Sequence, residues 1–479
     1  MTTEELQEFF NAGGQILKTR DDQSPVFLKK DDGQSEEPTI TFKLSEDSTC
    51  SWAKVDEVFG PEKLRPRIEP WLTALVQSEH LSSLIGSGLT HAVHAIANED
   101  SLPGMDTITF DTLNEEIAAE AQRIAEHAGR DRGNFEDQIR AANELLRGLE
   151  IMAATKPNDA EEHSQVKALR KALENALRSF AHSILEGERN LFLAPADKRE
   201  LAFNYLVSFL MSFASRSGTR ERLHIFTTNY DRFIEAGADV AGLRMIDRFV
   251  GTLAPVFRSS RLDVDLHYNP PGIRGEPRYL EGVARFTKLH GSVDWVDCEG
   301  AIRRIGLPFG ASDTKTFLEL AGADAEGARR LMIYPNAAKD RETAAYPYVE
   351  LFRDFAAAIC RPNSTVVCYG YSFGDEHINR AIEDMLTIPS AHLVVISYGD
   401  PLGRIMRTYD ALGRHAQITL LLGDHLGNLK SLVDHYLPKP AIDRTTFRMA
   451  ELLRARWTAG NGQEETPGGS DAGVGTPTP

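Results

Sequence analysis

Four short polar stretches concentrate the residue types that bind anions and move protons. Gly86-Ser87-Gly88-Leu89-Thr90 follows the apolar run Leu81–Ile85. Its glycines let backbone N–H groups approach a phosphate, and a helix starting near Thr90 would point its positive end there. Ligand-free tight turns use the same residues. Thr227-Thr228-Asn229-Tyr230-Asp231 follows Leu223–Phe226. Small polar groups at a strand end are costly to bury unless paired or bound to something, although Asn229 or Asp231 could simply cap a helix over Arg232–Ala238. Lys288-Leu289-His290-Gly291-Ser292-Val293-Asp294-Trp295 places an imidazole, a base suited to neutral pH, at another strand end. His290 is one of fourteen histidines and stands out by position alone. Tyr369-Gly370-Tyr371-Ser372-Phe373-Gly374-Asp375-Glu376 runs from a strand into a helix. Gly370 permits close backbone approach, Ser372 offers a hydroxyl, and Asp375 or Glu376 can cap the helix. The same GYSFG fits the G-x-S-x-G of a nucleophile elbow, which would need Asp400 or Asp424 with His425 as partners.

The elements that must position these loops are legible as alternating β and α patterns. Strands are expected at Leu81–Ile85, Leu223–Thr227, Arg285–Leu289, Leu331–Tyr334, Thr365–Tyr369, Leu393–Ser397 and Ile418–Leu422, with helices such as Tyr348–Cys360 and Glu376–Leu386 between them. That alternation predicts an α/β fold, a doubly wound, Rossmann-like parallel sheet covered on both faces. Such sheets bind ligands beyond the carboxyl ends of their strands. Residues 95–200 read instead as an inserted helical subdomain with three apolar stripes: Leu113, Ile117, Ala121, Ile124; then Phe135 to Leu149; then Val166 to Ile184, opened by an N-cap at Asn158-Asp159. Such stripes are core packing. Residues 201–215 are apolar nearly all round, predicting a fully buried helix. Residues 1–65 read as a small appended β segment, with runs at Pro25–Lys29 and Thr39–Lys43, and 66–457 as the nucleotide-binding domain. The Gly/Pro/Thr-rich tail 458–479 is expected to be disordered.

Composition excludes several functions. With 53 Lys and Arg against 70 Asp and Glu, the net charge is −17, which argues against non-specific nucleic-acid or membrane-surface binding. The acidic start MTTEELQEFF is no secretory signal, and no run nears the roughly 20 apolar residues that span a bilayer, so a cytoplasmic location is expected. Cys50, Cys298, Cys360 and Cys368 form no CxxC pair, so no paired-cysteine zinc site, and no metal, is expected.

Taken in order, the four stretches resemble the sirtuin family: GSGLT its GAGxS loop, TTNYD its T-x-N-x-D loop, LHGS its catalytic histidine motif, and GYSFGDEHI its late Gly-x-Ser segment. Tyr334-Pro335 to Phe355, with Lys339 and Pro347-Tyr348, resembles the unit between the last two motifs in the bacterial branch. The resemblance spans 81–95 and about 200–430, and departs from protein-deacylating members in lacking the four zinc cysteines. It is similar in this to the NAD hydrolases of bacterial anti-phage defence, which deplete NAD and cause abortive infection. It implies NAD as substrate, without zinc, a separately encoded HerA-type ATPase partner and a homo-oligomer. It further implies Asn229 holding the nicotinamide ribose and water, Asp231 orienting that loop, and His290 as base. Gly86, Gly88 and Thr90 would hold the diphosphate, and Gly370 and Ser372 a phosphate or the adenine-side ribose; Ser87, Thr228 and Asp375 would complete the cofactor site, Asp375 as a structural cap rather than a catalyst. A protein deacylase or ADP-ribosyltransferase and a non-catalytic NAD or ADP-ribose sensor are the alternatives.

Overall fold

A computed structural model of the chain describes residues 2–31, 40–46, 48–98, 102, 106–127, 130, 132–156, 160–216, 220–260, 264–268, 278–298, 300–314, 317, 331–333, 346–400 and 402–439. The tail expected at 458–479, the cap at Asn158-Asp159, and Tyr334, Pro335 and Lys339 lie outside those residues.

The main sheet has ten strands: β1 (Gln15–Lys18), β2 (Val26–Lys30), β3 (Phe42–Leu44), β4 (His80–Ile85), β5 (His224–Thr227), β6 (Arg244–Ile246), β7 (Val283–Lys288), β8 (Ser364–Tyr369), β9 (His392–Ser397) and β10 (Ile418–Leu422). Their order is β3-β2-β1-β10-β9-β8-β4-β5-β7-β6. From β10 to β6 every pairing is parallel, and the first three strands add antiparallel at one edge. The central strands β4, β5, β8 and β10 are buried along almost their whole length, as β-rich runs sandwiched between helices must be. One apolar layer packs α2 (Pro61–Val76), α3 (Ser87–Ala97), α7 (Ala196–Ala214) and α8 (Phe233–Ala241) on one face. The other face carries α1 (Thr3–Asn11), α9 (Tyr348–Ile359), α10 (Glu376–Leu386) and α11 (Arg404–Leu412). This is the expected Rossmann-like α/β sheet. The chain moves from β4 to β5 on one side and places β8, β9 and β10 on the other, so its direction of growth reverses between β4 and β8. That reversal is where such a sheet opens a crevice.

β1 was not foreseen, because half of QILK is polar. Both polar side chains are nonetheless buried and paired: Gln15 accepts from the His425 and Leu426 amides, and Lys18 Nζ donates to the His415 and Ile418 carbonyls. Residues 95–200 contain α4 (Asn114–His127), α5 (Phe135–Thr155) and α6 (Ala160–Leu193) around a separate core of Phe135, Ile139, Leu146, Leu169, Leu173 and Leu177. α5 starts with a capping box in which Asn134 and Asp137 satisfy each other's amides. α7 corrects one expectation. It is continuously buried only from Phe209 onward; in its first turns one face, Ala202 and Leu206, packs into the core, while Leu201 keeps 41% of its surface exposed. No helix among the described residues is long and apolar enough to cross a membrane.

Candidate functional site

The β4 and β8 loops meet so closely that their glycines admit no side chain. The Gly86 amide donates to the Tyr369 carbonyl at 3.0 Å, and the Gly88 amide to the Gly370 carbonyl at 3.1 Å. A Cβ on Gly86 would lie 2.4 Å from the Gly370 oxygen, and one on Gly88 2.5 Å from the Gly370 Cα. Gly370 also holds φ +59, which L-residues rarely adopt. Directly behind this contact α3 begins at Ser87 with no side-chain cap; its Gly88 and Leu89 amides are taken by the Gly370 and Gly86 carbonyls, so what the helix start offers an anion is chiefly its dipole.

The β5 loop is tied to the same place by hydrogen bonds that use nearly every polar group. Thr227 Oγ1 donates to the Ile85 carbonyl at 2.9 Å and accepts from the Asn229 amide at 3.0 Å. The Asn229 side-chain nitrogen donates to the Gly86 carbonyl and to Thr90 Oγ1, both at 3.0 Å. Thr90 Oγ1 donates to Asp231 Oδ2 at 2.7 Å, and Asp231 Oδ1 accepts the Phe233 amide at 3.1 Å. An amide nitrogen has two protons, so both are spent, and the side-chain oxygen is what Asn229 has left to offer a ligand. Thr90, expected beside the diphosphate, uses its hydroxyl inside this network.

His290 sits between β7 and a second, antiparallel sheet whose long strand, Gly291–Cys298, starts at the next residue. The Leu289 amide donates to the Thr227 carbonyl at 2.8 Å and the Val293 amide to the Tyr230 carbonyl at 3.0 Å, locking the histidine's backbone to the β5 loop. Beneath it Lys288 is 1% exposed, pairing with Glu235 at 2.9 Å and donating to the Asp231 carbonyl. His290 Nε2 lies 2.9 Å from Asp375 Oδ2. A carboxylate only accepts, so the pairing puts the imidazole proton on Nε2 and leaves Nδ1 with a lone pair. The other Asp375 oxygen caps α10 through the His377 amide at 2.9 Å and the Ile378 amide at 3.3 Å. Tyr371, whose hydroxyl donates to the Asp375 carbonyl at 3.2 Å, braces the loop from behind. The sequence suggested the cap at Asp375; its second task, orienting His290, needed the fold.

A cavity of about 1120 Å³ joins these groups. Gly86, Ser87, Thr90, Thr228, Asn229, Asp231, His290, Gly370, Ser372 and Asp375 all line it, while Gly88 serves behind the wall as packing for Gly370. The helical insertion forms the rest of the enclosure through Arg130, Asn134, Glu136, Phe180 and Ile184, among others. It is anchored to the β5 loop in two places. Phe180 meets the Tyr230 ring edge-on at 5.7 Å. Glu188 of α6, fully buried, receives the Arg232 amide at 2.9 Å and its guanidinium at 2.5 Å. Sequence reasoning passed over Glu188, yet a signal was there: an acid between Leu185 and Leu191 on a buried apolar stripe needs a partner.

The nucleophile-elbow alternative fails on geometry. Asp400 accepts the Ile405 and Met406 amides, Asp424 is held by Lys30 and Gln15, and His425 bonds the Tyr436 hydroxyl at 2.8 Å. None of the three lines the cavity that holds Ser372. The four cysteines are unpaired, and no group of three or more His, Cys, Asp or Glu side chains among the described residues is arranged to hold a metal ion.

No curated protein matches the chain. Residues 223–415, which carry the loops of Asn229, His290 and Asp375, match the family model of the SIR2-like domain, and this region is therefore similar to a sirtuin-like, NAD-related family.

Proposed function

We propose that the chain is an NAD hydrolase that cleaves the nicotinamide–ribose bond to give nicotinamide and ADP-ribose. The observation that carries this reading is the His290–Asp375 pair in one cavity with the Asn229 side chain and the uncapped start of α3. The uncapped helix and glycine cradle suit a diphosphate, which would leave the nicotinamide ribose between Asn229 and His290. Nicotinamide departs with the bonding electron pair, which neutralises its positive ring, so no general acid is needed. Charge builds on the ribose as an oxocarbenium-like state, as in glycoside hydrolysis. A water held by the Asn229 side-chain oxygen attacks the ribose carbon, and His290 Nδ1 takes its proton, directly or through a ribose hydroxyl. Asp375 stabilises the imidazolium that forms.

The absence of the paired zinc cysteines favours water over an acylated protein as acceptor. Enclosure by the helical insertion favours a small-molecule reaction over a transfer to protein. An enzyme that empties NAD needs restraint, so we assign the chain low basal activity, a trigger, and a role as an anti-phage effector working with a HerA-type ATPase as a homo-oligomer in the cytoplasm. Incubation of the protein with NAD alone, and with the product of its neighbouring gene added, tests the reaction. Nicotinamide and ADP-ribose should appear one to one without any acylated peptide. Product formation only when an acyl or protein acceptor is supplied would replace hydrolysis by transfer.

A further inference from the structure

Three arginines stand in the cavity wall, beside the carboxylates of Asp106, Glu136, Asp231 and Asp375. Arg130, Arg132 and Arg404 all line it. Arg130 is neutralised by Asp137, each oxygen taking one guanidinium nitrogen at 2.5 Å. Arg132 is exposed. Arg404 differs from both: it is half-buried, and its guanidinium makes no ion pair or hydrogen bond among the described residues. It lies against the Ser372 loop, where a Cβ on Gly374 would be 2.8 Å from its Nη1 and 3.5 Å from Ser372 Oγ. Burial, then the neighbouring Arg130 and Arg407, lower its pKa, with Asp400 and Tyr371 only partly offsetting them. Arg404 also opens α11, the helix end where the dipole disfavours a positive side chain. The other carboxylates nearest the reacting centre are committed, Asp231 to Thr90 and Asp375 to His290.

Strand order says which part of a dinucleotide would meet this arginine. Across the sheet the loops run β9, β8, β4, β5, β7, so Arg404 and His290 follow strands on opposite sides of the glycine cradle. With nicotinamide at His290 and the diphosphate at α3, the adenosine extends toward the loop between β9 and α11. Sites that prefer an unphosphorylated ribose present a carboxylate to its diol, whereas an arginine accommodates a 2′-phosphate. The carboxylate of this loop, Asp400, is buried and already accepts the Ile405 amide at 3.2 Å and the Met406 amide at 3.0 Å.

We propose that Arg404 is a specificity residue that binds the 2′-phosphate of the dinucleotide, so that the site prefers NADP to NAD. This rests on the reading of the cavity as a nicotinamide-dinucleotide site. Calorimetric titration of the full chain with NADP and with NAD tests it without requiring turnover. Wild type should bind NADP at least about tenfold more tightly. Arg404→Ala should weaken NADP binding by about ten- to a hundredfold, the range of one charge-assisted contact, and leave NAD within about twofold. Arg404→Gln, which keeps the packing, should behave alike. Equal weakening of both nucleotides would move Arg404 to the shared diphosphate and overturn the proposal, as would wild type binding NAD as tightly as NADP. Binding of neither nucleotide by wild type would overturn the dinucleotide reading itself, a result distinct from lost preference.

Discussion

At the scale of residues, one carboxylate performs two tasks. Asp375 uses one oxygen to cap α10 and the other to fix His290. Asparagine is as good a helix cap as aspartate but is neutral and can donate to the imidazole, which upsets its tautomer. Asp375→Asn should therefore leave the melting temperature nearly unchanged and cut the rate of nicotinamide release by about 10²- to 10⁴-fold. A variant that unfolds early but keeps its rate once folded would reduce Asp375 to a cap. The types and order of these residues were legible in the sequence; the pairing of His290 with Asp375 was not, because they lie 85 positions apart. Only the crossing of the β8 loop toward β7 joins them.

Elements explain how the β5 loop is held. Its Arg232 reaches Glu188 of the insertion inside a shell that excludes water, with both groups under 10% exposed. Removing one partner of such a pair strands the other charge, at a cost of about 3–5 kcal/mol. Glu188→Ala should lower unfolding stability by that order in denaturant titrations, and a loss below about 1 kcal/mol would show that the pair is solvated in solution. Element boundaries were readable where one pattern dominated. Glu376–Leu386 and Ile418–Leu422 form with the bounds that periodicity assigns them. β1 escaped because Gln15 and Lys18 are polar residues made buriable by backbone partners far along the chain. The strand expected at Leu331–Tyr334 forms over Leu331–Ile333 but leaves the parallel sheet, pairing antiparallel with Gly291–Cys298 in a small five-stranded sheet whose other strands come from separate segments between Phe249 and Arg304, a pairing that local pattern does not carry.

For the whole molecule, buried histidines set the response to pH. His224 is fully buried and held far below its ordinary pKa by burial, with nearby arginines adding to the effect. Burial chiefly lowers His392 and His425 as well, each from 6.5 to about 4. The unfolded chain therefore binds more protons than the folded one between these values, and stability falls as pH drops from 6.5 toward 4. The loss should be on the order of 1–3 kcal/mol per histidine, seen as a falling melting temperature across that window. A flat profile would mean that these imidazoles are protonated in the fold.

The most direct measurement compares nicotinamide release from NAD, and from NADP, by the wild-type chain and by His290→Ala, with nucleotide binding measured on both proteins. If His290 is the base at the reacting centre, the variant still binds the dinucleotide while release falls by about 10²-fold or more. Equal rates from the two proteins would remove His290, and the mechanism built on it, from the account.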